Sequence, residues 1–161
     1  MTTWDNFFLT TASAAATLTG LIFIGVSINL AKILTIAHLP FRALGSMMLM
    51  ATVLLISLFC QVPGQRPTLL GGEVLFTGII IWAVMTWREI GMWRTMEKQY
   101  RFHYFRNLLL TQLATVPYLL YGTIFIWWRS DSAFYWLVPA FIFSFIKVIT
   151  DAWVLLVEIN R

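Results

Sequence analysis

Apolar residues run almost unbroken through five stretches of this chain, and short polar or proline-bearing segments separate them. The stretches cover residues 8–31, 41–61, 69–87, 107–128 and 132–157. Each is close to or above the roughly 20 residues that an α-helix needs to cross a hydrocarbon core. Outer-membrane strands would instead alternate apolar and polar positions over about ten residues. The pattern therefore predicts an all-α, polytopic transmembrane helical bundle, one domain over residues 1–161. Pro117 and Pro139 interrupt the last two stretches, so a four-span arrangement stays open if one of them is re-entrant.

The connectors carry their own signals. Pro40 suits the first turn of a new helix, and the run Val62-Pro63-Gly64-Gln65-Arg66-Pro67 reads as a tight hairpin. Between the third and fourth spans, Met92, Met96, Tyr100 and Tyr104 recur every fourth position, while Arg94, Lys98 and Arg101 fall largely on other faces. That spacing predicts an amphipathic cytoplasmic helix, or an extension of the third span, near 91–105. Its basic residues are candidate ligands of anionic lipid headgroups.

With five spans, the loops place Lys32, Arg42, Arg88, Arg94, Lys98, Arg101 and Arg106 on one side, against Arg66 and Arg129 on the other. The positive-inside rule then predicts an inner-membrane protein with its N-terminus outside and its C-terminus cytoplasmic. Only 11% of residues are charged and 60% are hydrophobic, whereas a soluble domain carries about 25% charged residues. The formal charge of +4 thus points to membrane lipids, anionic on the cytoplasmic side, and not to nucleic acid. The N-terminus lacks a basic n-region, so the first helix is expected to be retained. Little chain is left outside the spans for a soluble catalytic domain.

In the first span, Ser13, Thr17, Gly20, Ile24, Ser27 and Ala31 follow a three-or-four spacing and share one helix face. Lipid gains nothing from small side chains, whereas a close helix neighbour does, so this helix is expected to pack inside protein. The same face also suits a pore wall, with hydroxyls in the outer half, a constriction near Leu21 or Ile24, and Asp5 and Lys32 as mouth charges. No carboxylate lies within the span, which argues against a calcium filter.

Glu73, Lys147 and Asp151 fall inside predicted spans, where burial is costly and function is the default suspicion. Glu73 sits about 6 Å along the third span, near the outer interface. Lys147 lies about 22 Å along the fifth, inside a core about 30 Å thick, and Asp151 follows one turn later. At i and i+4 the two are expected to pair, with Lys147 snorkelling, a reading that competes with a proton relay. Cys60 is a lone thiol, and His38 and His103 lack the spacing of a ligand pair. No metal site, no cofactor and no catalytic residue is assigned, because no nucleophile–base pair, HExxH, P-loop or glycine-rich nucleotide signature is present. The protein is expected not to be an enzyme.

Two resemblances follow from these residues. The start, Trp4 to Phe8 followed by TASAAATLTGLIFIGVSINL, resembles the N-terminal signature of a set of small, largely uncharacterised bacterial multispan membrane proteins. That likeness implies the membrane architecture and no activity. The first span also resembles the pore helix of Orai-type channels, where a serine/alanine segment leads through a glycine to a Val-x-Val-like end, here Val26-Ser27-Ile28-Asn29. This resemblance implies a pore helix near a symmetry axis, but the selectivity carboxylate of that family would fall near Ser27. Its basic cytoplasmic N-terminus also conflicts with an outside N-terminus. Three functional expectations result: a homo-oligomeric channel for small ions, a module binding another membrane protein through the first span, or a proton-coupled transporter.

Overall fold

The computed structural model describes residues 4–36, 39–95, 101–128 and 131–157. In chain order these form α1 (Asp5–Ile28), the short α2 (Leu30–Thr35), α3 (Leu39–Phe59), α4 (Pro67–Thr95), α5 (Arg101–Trp128), a 3-10 segment (Asp131–Trp136) and α6 (Leu137–Leu156). Five segments are long and apolar enough to cross a membrane: Asp5–Ile28, Leu39–Phe59, Pro67–Met92, Phe105–Trp128 and Ser132–Leu156. The protein is an all-α bundle with five such spans.

Helix is the state these sequences must take, because hydrocarbon offers no partner to an unpaired N–H or C=O and a helix closes those bonds within itself. The hydroxyl residues follow the same logic. Thr10, Thr11, Ser13, Thr17, Thr19 and Ser27 each donate to the carbonyl four residues earlier. Helix ends fall where the chain chemistry changes. Asn29 closes α1, its side-chain Nδ2 donating to the Gly25 carbonyl at 3.1 Å. Gly64 turns the hairpin with φ +69°, a left-handed conformation that suits glycine, and Pro67 opens α4. Helix α5 continues through Pro117. Residues 91–95 continue α4 and residues 101–105 open α5, so the extension reading of this region holds over its described part.

Two compact units divide the chain, Met1–Gln61 with Phe145–Arg161, and Val62–Ser144. In the first unit α1 packs along α3. The face of α1 that does so is Phe8, Thr11, Ala12, Ala15 and Ile22, and α3 answers with Ser46, Leu49, Met50, Val53, Ile56 and Ser57 among its buried residues. A second cluster, Ile33, Leu39, Ala43 and Leu155 with Val26 and Val154, closes the other end of this unit.

In the second unit α4 and α5 form an antiparallel pair, since contacts climb one helix as they descend the other. Gly71 meets Phe125 and Ile126, Gly78 meets Tyr118 and Leu119, and Gly122 meets Leu75. At Gly122 the approach is tightest, because an added Cβ would lie 2.6 Å from Leu75 Cβ and 3.0 Å from the Gly71 carbonyl oxygen. Small residues replace hydrophobic driving force where lipid is the solvent. Farther along, Tyr121 stacks on Phe125 with centroids 5.1 Å apart, and Phe134 of the 3-10 segment packs against both.

The Gly122→Ala variant is expected to lose about 1–3 kcal/mol through overpacking. Gly20→Ala, where nothing lies within 4 Å of the added carbon, is expected to stay within about 0.5 kcal/mol of the parent. Thermal unfolding of the two variants in one detergent checks both values, and equal midpoints would contradict the seam at Gly122.

Candidate functional site

The first unit holds a cluster of charges within its spans. Lys147 and Asp151 lie one turn apart on α6 and form an ion pair through Lys147 Nζ and Asp151 Oδ2. Arg42, in the first turn of α3, brings Nε to 2.5 Å from Asp151 Oδ1. Ser46, one turn farther along α3, has Oγ at 3.1 Å from Asp151 Oδ2 and 3.2 Å from the Arg42 carbonyl oxygen. Both carboxylate oxygens are thus engaged, and the carboxylate ties α3 to α6.

Burial sets the energetics. Asp151 is 1% exposed and Lys147 2%, so Lys147 does not snorkel as the sequence reading expected. The physical reason is that Asp151 offers the ammonium a partner inside the bundle, which spares the long side chain a detour to water. Removing an ion from water costs several kcal/mol, and attraction to its partner repays this only when geometry and hydrogen bonding are good. The cluster's net contribution is therefore modest, but losing one member strands the others. A carboxylate held by an arginine, a lysine and a serine is also a poor proton shuttle, since it must break those contacts to exchange a proton.

Arg42 and Ser46 were invisible as site residues. Arg42 counts in the sequence as one more basic loop residue, and Ser46 as one more small polar residue. The signal was a cation, Arg42, and a hydroxyl, Ser46, at i, i+4 spacing at the entry to the second span, a pair suited to a carboxylate such as Asp151.

The second unit holds a separate polar network between α4 and α5. Glu89 is 6% exposed, and its Oε1 accepts from Asn107 Nδ2 at 2.8 Å and Thr111 Oγ1 at 2.6 Å. One turn away, Gln112 Nε2 donates to Thr86 Oγ1 at 2.9 Å, and its Oε1 accepts from Trp82 Nε1 at 2.8 Å. Ending the third span at Trp87 left Glu89 in a loop, whereas the span runs to Met92. The 86/89 and 107/111 spacings on neighbouring spans were the available signal. A groove of ≈ 400 Å³ beside this network is lined by Trp82, Ala83, Thr86, Trp87, Ile90 and Gly91, all from α4. Elsewhere in the unit, Tyr118 Oη and Ser144 Oγ lie 3.1 Å apart as a buried hydrogen bond.

The other sequence candidates are dispersed. Glu73 is half-buried near the start of α4, and its Oε2 accepts from Gln65 Nε2 of the hairpin at 2.5 Å. Asp5 opens α1, half-buried, and Lys32 is exposed on α2. Lys98, and the side chains of Arg94 and Arg101, lie outside the described residues. Ser13, Thr17, Gly20, Ile24 and Ser27 on α1 and Ala31 on α2 are all exposed. The sequence reading placed this helix inside protein. Within one chain α3 takes the adjacent face instead, because Ala12 and Ala15 there admit its bulkier side chains.

Among the described residues no group of three or more His, Cys, Asp and Glu side chains is placed to hold a metal ion. The fold and these two clusters define a class, an α-helical multi-pass membrane protein with ionic and polar staples between its spans. No protein family matches the chain, and no curated protein or solved structure matches it.

Asp151→Asn leaves Arg42 and Lys147 without their counter-charge and is expected to cost about 3–5 kcal/mol. Chemical unfolding in mixed micelles measures it, and an unchanged midpoint would remove the ionic staple from the fold. In the second unit, Glu89→Leu strands the Asn107 and Thr111 donors at about 1–3 kcal/mol. Glu89→Gln retains an acceptor oxygen and is expected to cost less than Glu89→Leu in the same assay.

Proposed function

We propose that the protein works as a homo-oligomeric channel or pore-like assembly for small ions in a bacterial inner membrane, with α1 of each copy near the symmetry axis. The observation that carries this reading is the exposed stripe of α1. Much of the exposed surface of the spans is bulky, on α1 at Leu9, Leu21, Phe23 and Ile28 and elsewhere at Phe76, Ile80, Trp127, Ile149 and Trp153. The α1 stripe instead offers Ser13, Thr17, Gly20 and Ser27, a surface that lipid does not favour and that a neighbouring helix or a narrow polar path does. Each of its hydroxyls donates to its own helix, which leaves the oxygen lone pairs to face outward. The basic loops support an outside N-terminus, which sets Asp5 at the outer mouth and Lys32 at the inner one. Without a carboxylate along the stripe, monovalent ions are the expected cargo.

A second reading draws on the same hydroxyl bonds. Because their protons are already engaged, the stripe also suits a dry contact with a different membrane protein, making the chain a structural or regulatory module. A proton-coupled transporter is less well supported, since Asp151 is fully engaged and Glu73 belongs to the hairpin end of its helix.

Flux of potassium, sodium and chloride from reconstituted vesicles, with the oligomeric mass in lipid nanodiscs, tests the channel. Ile24→Ser is expected to raise flux several-fold by wetting the constriction. A monomeric mass without flux would sink the channel reading. Stoichiometric capture of another membrane protein, abolished by Gly20→Leu, would establish the module instead. Gly20→Leu separates association from folding, because nothing in its own chain lies within 4 Å of the added Cβ.

A further inference from the structure

The ionic cluster of the first unit does not balance. Arg42 and Lys147 bring two cations to one carboxylate, Asp151. Among the described residues of this unit the other carboxylate is Asp5, at the far end of α1, about 35 Å of helix from its close at Ile28. An excess cation inside a membrane span calls for a second anion. Lys147 is not the group that meets it, because its side chain is 3% exposed, whereas that of Arg42 is 26% exposed.

The manner in which Arg42 binds leaves capacity to spare. Its contact with Asp151 is made through Nε alone, so the guanidinium is not spent in a two-toothed fork on the carboxylate. Arginine carries five N–H donors in a rigid plane, and a phosphate matches that plane with two parallel hydrogen bonds. Position favours a lipid as the source. Arg42 stands in the first turn of α3, at the edge of the span, and its neighbours Phe41 and Leu44 are 55% and 51% exposed. At that depth the surrounding anions are headgroup phosphates.

We propose that Arg42 is a binding site for the phosphate of an anionic phospholipid headgroup, which supplies the anion that the Arg42–Asp151–Lys147 cluster lacks. One phosphate contact then connects lipid composition to the joint between α3 and α6. The site is independent of whether α1 lines a pore, so it stands or falls separately from the channel reading.

Hydrogen–deuterium exchange of the α3 first turn, residues 39–46, tests it in nanodiscs of pure phosphatidylglycerol or pure phosphatidylcholine. The intact protein is expected to exchange there about fivefold more slowly in phosphatidylglycerol, the size expected of one interfacial cation. Lys147→Met removes the excess charge while keeping the Arg42–Asp151 pair, and should erase most of that difference. Arg42→Lys has one ammonium to serve both anions and should erase it too. Equal exchange of the parent in the two lipids would overturn the proposal, as would an undiminished difference in Lys147→Met. If both variants fail to fold, the parent comparison alone decides. Inorganic phosphate added to phosphatidylcholine discs is expected to give no protection, and equal protection would overturn the assignment to lipid in favour of a free anion.

Discussion

Hydrocarbon cannot solvate a polar group, and much of this protein answers that constraint. Backbone groups are closed inside helices, many hydroxyls fold back on the preceding turn, as at Thr11, Thr19, Thr52 and Thr115, and the charges of Arg42, Lys147 and Asp151 meet one another. Asp151 is the sharpest case. Its two oxygens engage Arg42, Lys147 and Ser46, so one carboxylate reconciles a buried lysine and a partly exposed arginine with an apolar bundle. Such a group contributes little to stability on balance, because desolvation offsets most of the attraction. What it supplies is register, since α3 and α6 can slide past each other only by breaking it.

The second unit solves the same problem with neutral donors. Glu89 accepts from Asn107 and Thr111, and Gln112 bridges Thr86 and Trp82. These bonds sit toward one end of the α4–α5 pair, whereas the close glycine contacts at Gly71, Gly78 and Gly122 occupy the rest. Polar staples and small-residue packing are the two means by which helices associate when lipid is as apolar as leucine. Here they are separated along one interface.

The first helix contrasts with both. Its packing against α3 uses Phe8, Thr11, Ala12, Ala15 and Ile22, while its small hydroxyl-bearing stripe faces away from the chain. A stripe of this kind has no function in lipid that bulkier residues would not serve better. That asymmetry is the ground for reading α1 as an assembly helix.

How much of this was legible in the sequence depended on the range of the interaction. Hydropathy is a local property, so the five spans and the all-α class followed from composition along the chain, with boundaries displaced by a few residues at most ends. Pairing within a helix was legible too, and Lys147 with Asp151 met as their i, i+4 spacing implied. Pairing between helices was not, because it depends on which faces meet. Arg42 passed for a loop charge and Glu89 fell beyond a span ended too early, while the face shared by Ser13, Thr17, Gly20, Ile24, Ser27 and Ala31 is exposed within one chain. Periodicity shows which residues share a face, but only the tertiary arrangement decides what that face touches.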